Sequence, residues 1–232
     1  MGSVFGKVSV ETPNFEVLHS CPDYEIRRYP HSVVAQITYD PAQMRGDRDG
    51  GFMVLASYIG ALGKPQNSRP EKIAMTAPVI TTAADASEKI AMTAPVITTT
   101  GEAGDASEKI AMTAPVITTG GGAGDASETA AAAGSGTVTM QFLLPSKYTK
   151  AEEAPTPADG RVVIREEGER TYGVVKFSGL TTDKVVAEKV EKLRQSLERD
   201  GRRVTGRFQL GRYNPPWTLP PFRTNEVMLP IE

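Results

Sequence analysis

The segment EKIAMTAPVITT occurs three times in this chain of 232 residues, at Glu71–Thr82, Glu88–Thr99 and Glu108–Thr119. In each copy apolar residues alternate before a proline and Val-Ile-Thr-Thr follows, which is the pattern of a short strand. The period is too short, and the array too brief, for a solenoid. We therefore expect a single strand of an ordinary domain that has been duplicated locally. Three near-identical strands would then compete for one position in a sheet, and we expect the first copy to fill it.

Composition limits the class of protein. Hydrophobic residues make up 39% of the chain and charged residues 23%, as in a soluble globular protein, and the length allows one good core or two small ones. The net charge of −2 argues against a nucleic-acid binder that neutralises phosphates. Cys21 is the single cysteine of the sequence, so no intrachain disulfide or cysteine-rich metal site is expected. The sequence shows no secretory signal or membrane-spanning stretch, which predicts a cytoplasmic protein.

The predicted elements fall into two halves that share the order strand, helix, hairpin. The first half contains Tyr24–Tyr39, interrupted at Pro30, then Phe52–Leu62, one repeat copy and Thr137–Leu144. The second half contains Thr171–Phe177, Thr181–Arg199, Arg207–Tyr213 and Glu226–Ile231, and a further strand is predicted at Arg161–Glu166. This repetition predicts an α+β domain with a curved antiparallel sheet or barrel and two flanking helices.

The two helices differ in their patterning. The helix Thr181–Arg199 has one apolar stripe, a possible cap at Thr182 and a closing glycine at Gly201. The helix Phe52–Leu62 is apolar on two sides and has no charged face. Such a helix is either buried on both sides or leaves one side for an apolar ligand.

Several motifs carry a resemblance to a known family: YEIRRYP, FMVLASYIG followed by KIAMTAPV, FLLPSKY, VVKFSG, and RYNPPWTLPPFRTNEV. In this order they resemble the SOUL heme-binding protein family from about Phe15 to Glu232, interrupted by the repeats. The tandem KIAMTAPV copies are similar to plant cytosolic members. The resemblance implies a distorted antiparallel β-barrel of two similar halves with two helices. It also implies binding of heme or other tetrapyrroles, usually without catalysis.

The resemblance further implies a shallow apolar groove on the first helix, flanked by the loop after the penultimate strand. Carried over by position, the groove would comprise Met53, Ala56, Ser57, Gly60, Met75 and the stretch from Trp217 to Phe222. Cations for two propionates would come from Lys64, Arg69, Lys72 or Arg223. The alternative is that Met53 and Trp217 are core residues and that these cations are solvated.

Axial ligands for a heme iron are less well defined. His19 and His31 are the two imidazoles of the sequence, and Cys21 precedes a proline. For each of them an ordinary surface histidine or a free cysteine is the alternative. Met75 and its equivalents Met92 and Met112 are possible soft ligands, although methionine on an alternating strand usually packs. The family shows no dependable axial ligand, so iron coordination is not assumed.

These observations predict a cytoplasmic carrier or buffer that holds heme or metal-free porphyrin as a bound ligand, not as a catalytic cofactor. A protein partner could receive the cargo, and no nucleic-acid partner is expected. The sequence contains no HExxH motif and no phosphate loop, and we expect no enzyme activity. Two alternatives stay open: an interaction module that uses the repeated strands, and an enzyme that acts on a tetrapyrrole.

We expect an N-terminal arm at 1–14 and a single domain at 15–232. A tandem-repeat and Gly/Ala-rich insertion is predicted at about 83–136.

Overall fold

A curled antiparallel sheet of nine strands carries two helices in the computed structural model, which describes residues 5–43, 50–83 and 137–232. The strands are β1 Glu16–Ser20, β2 Glu25–Tyr29, β3 Ser32–Tyr39, β4 Val79–Ala83, β5 Val138–Leu143, β6 Val163–Glu167, β7 Arg170–Phe177, β8 Gln209–Arg212 and β9 Asn225–Pro230. The helices are α1 Gly50–Ile59 and α2 Asp183–Arg199. The predicted α+β class and distorted barrel are confirmed, although the sheet forms only a half-barrel.

The strand order shows the two predicted halves directly. It runs β1-β2-β7-β9-β8-β4-β5-β3-β6. In the first half β3, α1, β4 and β5 follow one another, and their strands lie in the order β4-β5-β3. In the second half β7, α2, β8 and β9 follow one another, and their strands lie in the equivalent order β8-β9-β7. The halves meet where β8 pairs with β4.

The strand predicted at Tyr24–Tyr39 is in fact two strands in different parts of the sheet. The chain leaves β2 at Tyr29 and enters β3 at Ser32, with Pro30 and His31 between them. β2 pairs with β1 and β7, whereas β3 pairs with β5 and β6. A proline has no backbone N–H to donate to a neighbouring strand. The strand pattern is therefore interrupted at Pro30, and the chain pairs with different strands before and after it.

The first repeat copy supplies β4, as predicted. Val79–Ala83 pairs with β5 on one side and β8 on the other, and it is a central strand. The second and third copies and the predicted insertion lie, apart from Ala83, outside the described residues.

The core is divided between the two faces of the sheet. One buried cluster packs α1 against β3 and β5, and a second packs α2 against β7 and β9. Both of these clusters lie on the face that carries the helices. A third cluster, of Tyr29, Ile80, Tyr172, Val174 and Met228, lies on the opposite face, because its members alternate along β4, β7 and β9 with members of the first two clusters. The α2 caps follow the sequence prediction: Thr182 Oγ1 accepts a hydrogen bond from Val185 N, and Gly201 closes the helix at a φ of +72°.

Candidate ligand-binding cleft

The outward side of α1 is apolar. Leu55, Tyr58 and Ile59 point into the core and are buried. On the opposite side Met53 is 56% exposed, although it is a large hydrophobic residue. The Ser57 hydroxyl donates a hydrogen bond to the Met53 carbonyl at 2.8 Å, within the helix. That bond satisfies the hydroxyl locally, so little polarity interrupts this face.

The end of α1 is fixed by Gly60. Its φ of +78° is a left-handed conformation that favours glycine. Gly60 N donates to Ser57 O at 3.1 Å and Ala61 N donates to Ala56 O at 2.9 Å, which together form a Schellman motif. A Cβ at this position would lie 2.7 Å from the Pro65 ring. Gly60 therefore terminates the helix and brings the following loop back against it.

Two loops form the walls beside α1, and backbone hydrogen bonds join them. Gln66 N donates to Ser57 O at 2.9 Å, and Ala158 N donates to Gln66 O at 3.0 Å. The buried Tyr58 hydroxyl donates to Pro155 O at 2.8 Å, which ties the second loop to the helix itself. Burial also raises the pKa of Tyr58, so the hydroxyl keeps its proton and this hydrogen bond under alkaline conditions as well.

A cleft of about 420 Å³ lies between this helix face and the two loops. Its volume is within the range of roughly 300–1,000 Å³ usual for small-molecule sites. The side chains around it come from α1, from the loop after α1 and from the turn before β6. They are Met53, Val54, Ser57, Tyr58, Gln66, Ala158, Asp159 and Arg161.

The charges at the cleft form one ion pair. Arg161 Nη2 lies 2.7 Å from Asp159 Oδ2, and Arg161 Nε lies 3.0 Å from Asp159 Oδ1. The hydrogen bonds from Arg161 hold the pKa of Asp159 below its usual range. The pair is partly exposed, so the arginine can reach a ligand carboxylate at a small cost.

The predicted site residues on and after α1 separate into two groups. Met53 and Ser57 line the cleft. Ala56 is fully buried in the core under the helix, and Gly60 is buried at the helix end, so neither contributes to the exposed face. Met75 is half-buried and packs against the same core, while Lys64 is exposed in the loop that follows the helix.

The predicted residues of the β8–β9 loop form a separate surface. Arg223 binds the loop's own backbone, with Nε 2.8 Å from Thr218 O and Nη2 2.6 Å from Pro216 O. Phe222 packs edge-on against Phe5 of the N-terminal arm, with ring centroids 5.8 Å apart. Trp217 is exposed. Among the residues that line the cleft, as far as the structure describes them, none comes from this loop.

The candidate axial ligands lie away from the cleft. His31 Nε2 is 3.3 Å from Glu166 Oε2, beside a smaller cavity of about 170 Å³. His19 is exposed on β1, and the Cys21 thiol donates to Tyr24 O at 3.3 Å. Within residues 5–43, 50–83 and 137–232, no group of three or more His, Cys, Asp and Glu side chains could hold a metal ion.

Sequence reasoning missed part of the cleft. Asp159 falls in a predicted loop and Arg161 at the start of a predicted strand, while Tyr58 and Gln66 carry no signal of their own. The ADGR turn before β6 was the available clue, because an Asp and an Arg two residues apart can pair across a turn. Its position opposite α1, however, depends on the pairing of β6 with β3.

The chain matches the model of a known protein family. The model of a family described as SOUL heme-binding protein matches residues 10–105 and, a second time, residues 100–230. The chain belongs to the SOUL heme-binding protein family. The recognition from YEIRRYP and RYNPPWTLPPFRTNEV is thereby confirmed. No protein with a curated function matches the chain.

Solved structures show a likeness in fold. The crystal structure of the EcmrR C-terminal domain has a TM-score of 0.51 at 12% identity, covering 90% of this chain and 98% of that one. An EcmrR–DNA complex solved by cryo-electron microscopy has a TM-score of 0.50 at 10% identity, covering 90% and 57%. An uncharacterised conserved protein from Listeria innocua scores 0.49 at 11% identity, covering 89% and 92%. Among the described helices, none has the length and hydropathy to cross a membrane.

Proposed function

We propose that this SOUL family member binds heme or another tetrapyrrole reversibly in the cleft on α1 and serves as a cytoplasmic carrier or buffer. The observation that carries the proposal is the exposed apolar face of α1, with Met53 open to the cleft. An exposed apolar face with nearby polar groups is typical of a ligand-binding groove. A flat macrocycle would cover this face and lose contact with water on one side.

The polar groups suit the edge of such a ligand. The carboxylates of a porphyrin need a cation or hydrogen-bond donors, and Arg161 is the cation that lines the cleft. Its present partner, Asp159, is the less exposed side chain of the pair and competes with a ligand carboxylate for the guanidinium. Lys64 and Arg223, predicted for this role, stay proposals: Lys64 is exposed close to the helix end, and Arg223 is committed to loop carbonyls.

The side chains that line the cleft indicate that the affinity for a tetrapyrrole depends little on its iron. The lining side chains include a thioether, Met53, but His19, His31 and Cys21 are elsewhere. Binding would therefore rest on apolar contact and on the carboxylates. Such a ligand can leave again, which suits a carrier that passes its cargo to a protein partner. We assign no catalytic step to the site, and the mass of bound porphyrin should stay unchanged on incubation.

A matched pair of variants tests the proposal. Met53 and Leu62 are almost equally exposed, at 56% and 54%, but only Met53 lines the cleft. Met53→Arg places a charge where the macrocycle would lie, and we expect at least a tenfold loss of hemin affinity, or about 1.4 kcal/mol. Leu62→Arg should leave the affinity unchanged. Absorbance titration with hemin measures both, and circular dichroism checks folding.

Either of two results would contradict the proposal. One is a hemin titration of the wild-type protein that shows no saturable change at micromolar concentration. The other is an equal loss of affinity in the two variants, which would place the ligand elsewhere. In that case Trp217→Ser would test the β8–β9 loop, which the family resemblance also implicates.

A further inference from the structure

Large apolar side chains from three segments of the chain are exposed close to one another. The segments are the N-terminal arm, the turn between β7 and α2, and the loop between β8 and β9. The side chains, called the loop patch below, are 47–67% exposed and belong to Phe5, Leu180, Trp217, Leu219 and Phe222. Exposed apolar side chains that are grouped in this way indicate an interaction surface.

The arm is held directly on the loop. The rings of Phe5 and Phe222 meet edge-on, with centroids 5.8 Å apart. Asn214 Nδ2 donates a hydrogen bond to Gly6 O at 3.1 Å. A Cβ on Gly6 would collide with Phe222 O, so the arm approaches the loop as closely as a glycine allows. Phe5 therefore belongs to the same surface as the loop.

The turn after β7 is attached to the same loop. Gly179 N donates to Pro220 O at 3.0 Å, and Asn225 Nδ2 donates to Gly179 O at 3.1 Å. Asn225 is the first residue of β9, so the turn is tied both to the loop and to the strand that follows it. Leu180 comes directly after Gly179 and is thereby brought beside the loop. The three segments present one surface.

The loop satisfies many of its own backbone polar groups. Four of the ten residues 214–223 are prolines, which have no N–H to satisfy. Backbone N–H groups and the Arg223 guanidinium donate to loop carbonyls at 2.6–3.1 Å. These carbonyls belong to Pro215, Pro216, Thr218, Leu219 and Pro220. A peptide group that already has a partner costs less to remove from water, so this loop suits an apolar environment.

Exposed charges near the loop patch are mainly positive. Within four residues of its members in the sequence, the exposed cations are Lys7, Lys176 and Lys184. The exposed acid in the same range is Asp183, and three cations with one acid give a net charge of +2. Glu226 is also within this range, but it is buried and paired with Arg27. The patch thus lies in a positive part of a chain whose net charge is −2.

We propose that the loop patch docks on an anionic membrane surface, with its apolar side chains in the interfacial layer and the nearby lysines against the lipid headgroups. Trp217, its most exposed member, is the residue type that favours this layer, because its apolar ring carries one polar N–H. The loop carbonyls are already bonded, so the surface offers apolar contact and positive charge. An anionic lipid surface is complementary to both.

Binding of the ligand-free protein to lipid vesicles tests the proposal. The vesicles contain phosphatidylcholine with about 30% phosphatidylserine, and pure phosphatidylcholine is the comparison. Each lysine near an anionic surface strengthens binding by about fivefold, so we expect at least tenfold weaker binding to the neutral vesicles. High salt should weaken binding to the anionic vesicles. Fluorescence of Trp217, the single tryptophan, should shift to shorter wavelength and be quenched by brominated acyl chains.

Two leucines provide a matched pair of variants. Leu180 and Leu62 are 52% and 54% exposed, but Leu62 lies after α1 and outside the loop patch. We expect Leu180→Gln to weaken vesicle binding at least threefold, because apolar area no longer leaves water, and Leu62→Gln to leave it unchanged. Lys7→Gln should weaken binding to the anionic vesicles by about fivefold. Circular dichroism checks that each variant is folded.

Three results would overturn the proposal. The first is no binding of the wild-type protein to the anionic vesicles, which would favour a protein partner for the loop patch. The second is vesicle binding that leaves the fluorescence of Trp217 unchanged. The third is an equal loss of binding in Leu180→Gln and Leu62→Gln. Because no tetrapyrrole is present in these measurements, their outcome is separate from that of the hemin titration.

Discussion

The buried ion pair between Arg27 and Glu226 offers a quantitative prediction. Arg27 Nη1 lies 2.9 Å from Glu226 Oε1, and the two side chains are only 7% and 4% exposed. Tyr213 donates to the other carboxylate oxygen at 2.6 Å. On its other side the guanidinium is 4.2 Å from the Phe15 ring centroid. The pair joins β2 to β9, which lie on either side of β7 in the sheet.

Glu226→Gln would leave the Arg27 charge buried without its closest counter-ion. Breaking a buried pair in this way costs about 3–5 kcal/mol. Glu25 also binds Arg27, at 2.7 Å, and it is 37% exposed, so part of the charge stays neutralised. We therefore expect a loss near the lower limit, about 3 kcal/mol of the free energy of unfolding.

The control is a surface pair on the same strand. Arg28 Nη1 lies 3.4 Å from Glu16 Oε2, with side chains 43% and 66% exposed, so Glu16→Gln should cost less than about 1 kcal/mol. Urea unfolding of the two variants and of the wild type measures the difference. High salt should reduce the cost of Glu16→Gln and leave that of Glu226→Gln nearly unchanged. Equal small costs for the two variants would show that the buried pair contributes no more to stability than the exposed pair does.

Three further predictions concern packing, pH and the ligand. Gly173→Ala should cost roughly 1–3 kcal/mol, because its Cβ would lie 2.8 Å from Leu197 under α2; Gly168→Ala, with open space around it, should cost far less in the same urea assay. Burial raises the pKa of Tyr29 to about 12. The contribution of the protonated Tyr29 to the free energy of unfolding is therefore fully present below pH 10 and is lost as the pH rises through 12. Unfolding midpoints at about pH 9 and 11 check this, and Tyr29→Phe should reduce the dependence. Arg161→Gln should weaken hemin binding by up to about fivefold and leave the binding of an esterified porphyrin unchanged; equal losses for both ligands would exclude a contact between Arg161 and a propionate.

The sequence predicted the two halves and both helices because periodicity and caps are local signals. Thr182 caps the start of α2 and Gly201 closes its end, as expected, and the first repeat copy forms β4. The split at Pro30 was visible as an interruption. That the flanking strands take different neighbours could not be predicted, because strand pairing depends on distant partners.

The candidate site was predicted only in part. Met53 and Ser57 lie on the open face of α1, whereas Ala56, between them in the sequence, is in the core. The helix is apolar on both sides, so hydrophobicity alone could not tell the buried face from the open one. Arg161 reaches the cleft through the pairing of β6 with β3, which no local pattern encodes.

A paired titration with hemin and metal-free protoporphyrin tests whether the cleft on α1 binds a tetrapyrrole without an axial ligand to its iron. Absorbance and the fluorescence of Trp217, the single tryptophan, follow the binding. We expect saturable binding of both ligands with similar affinity, since the residues lining the cleft present an apolar face and a cation and include no imidazole or thiolate. Tight binding of hemin alone would contradict it and would indicate an axial ligand, to be sought first at His31, His19, Cys21 and Met75.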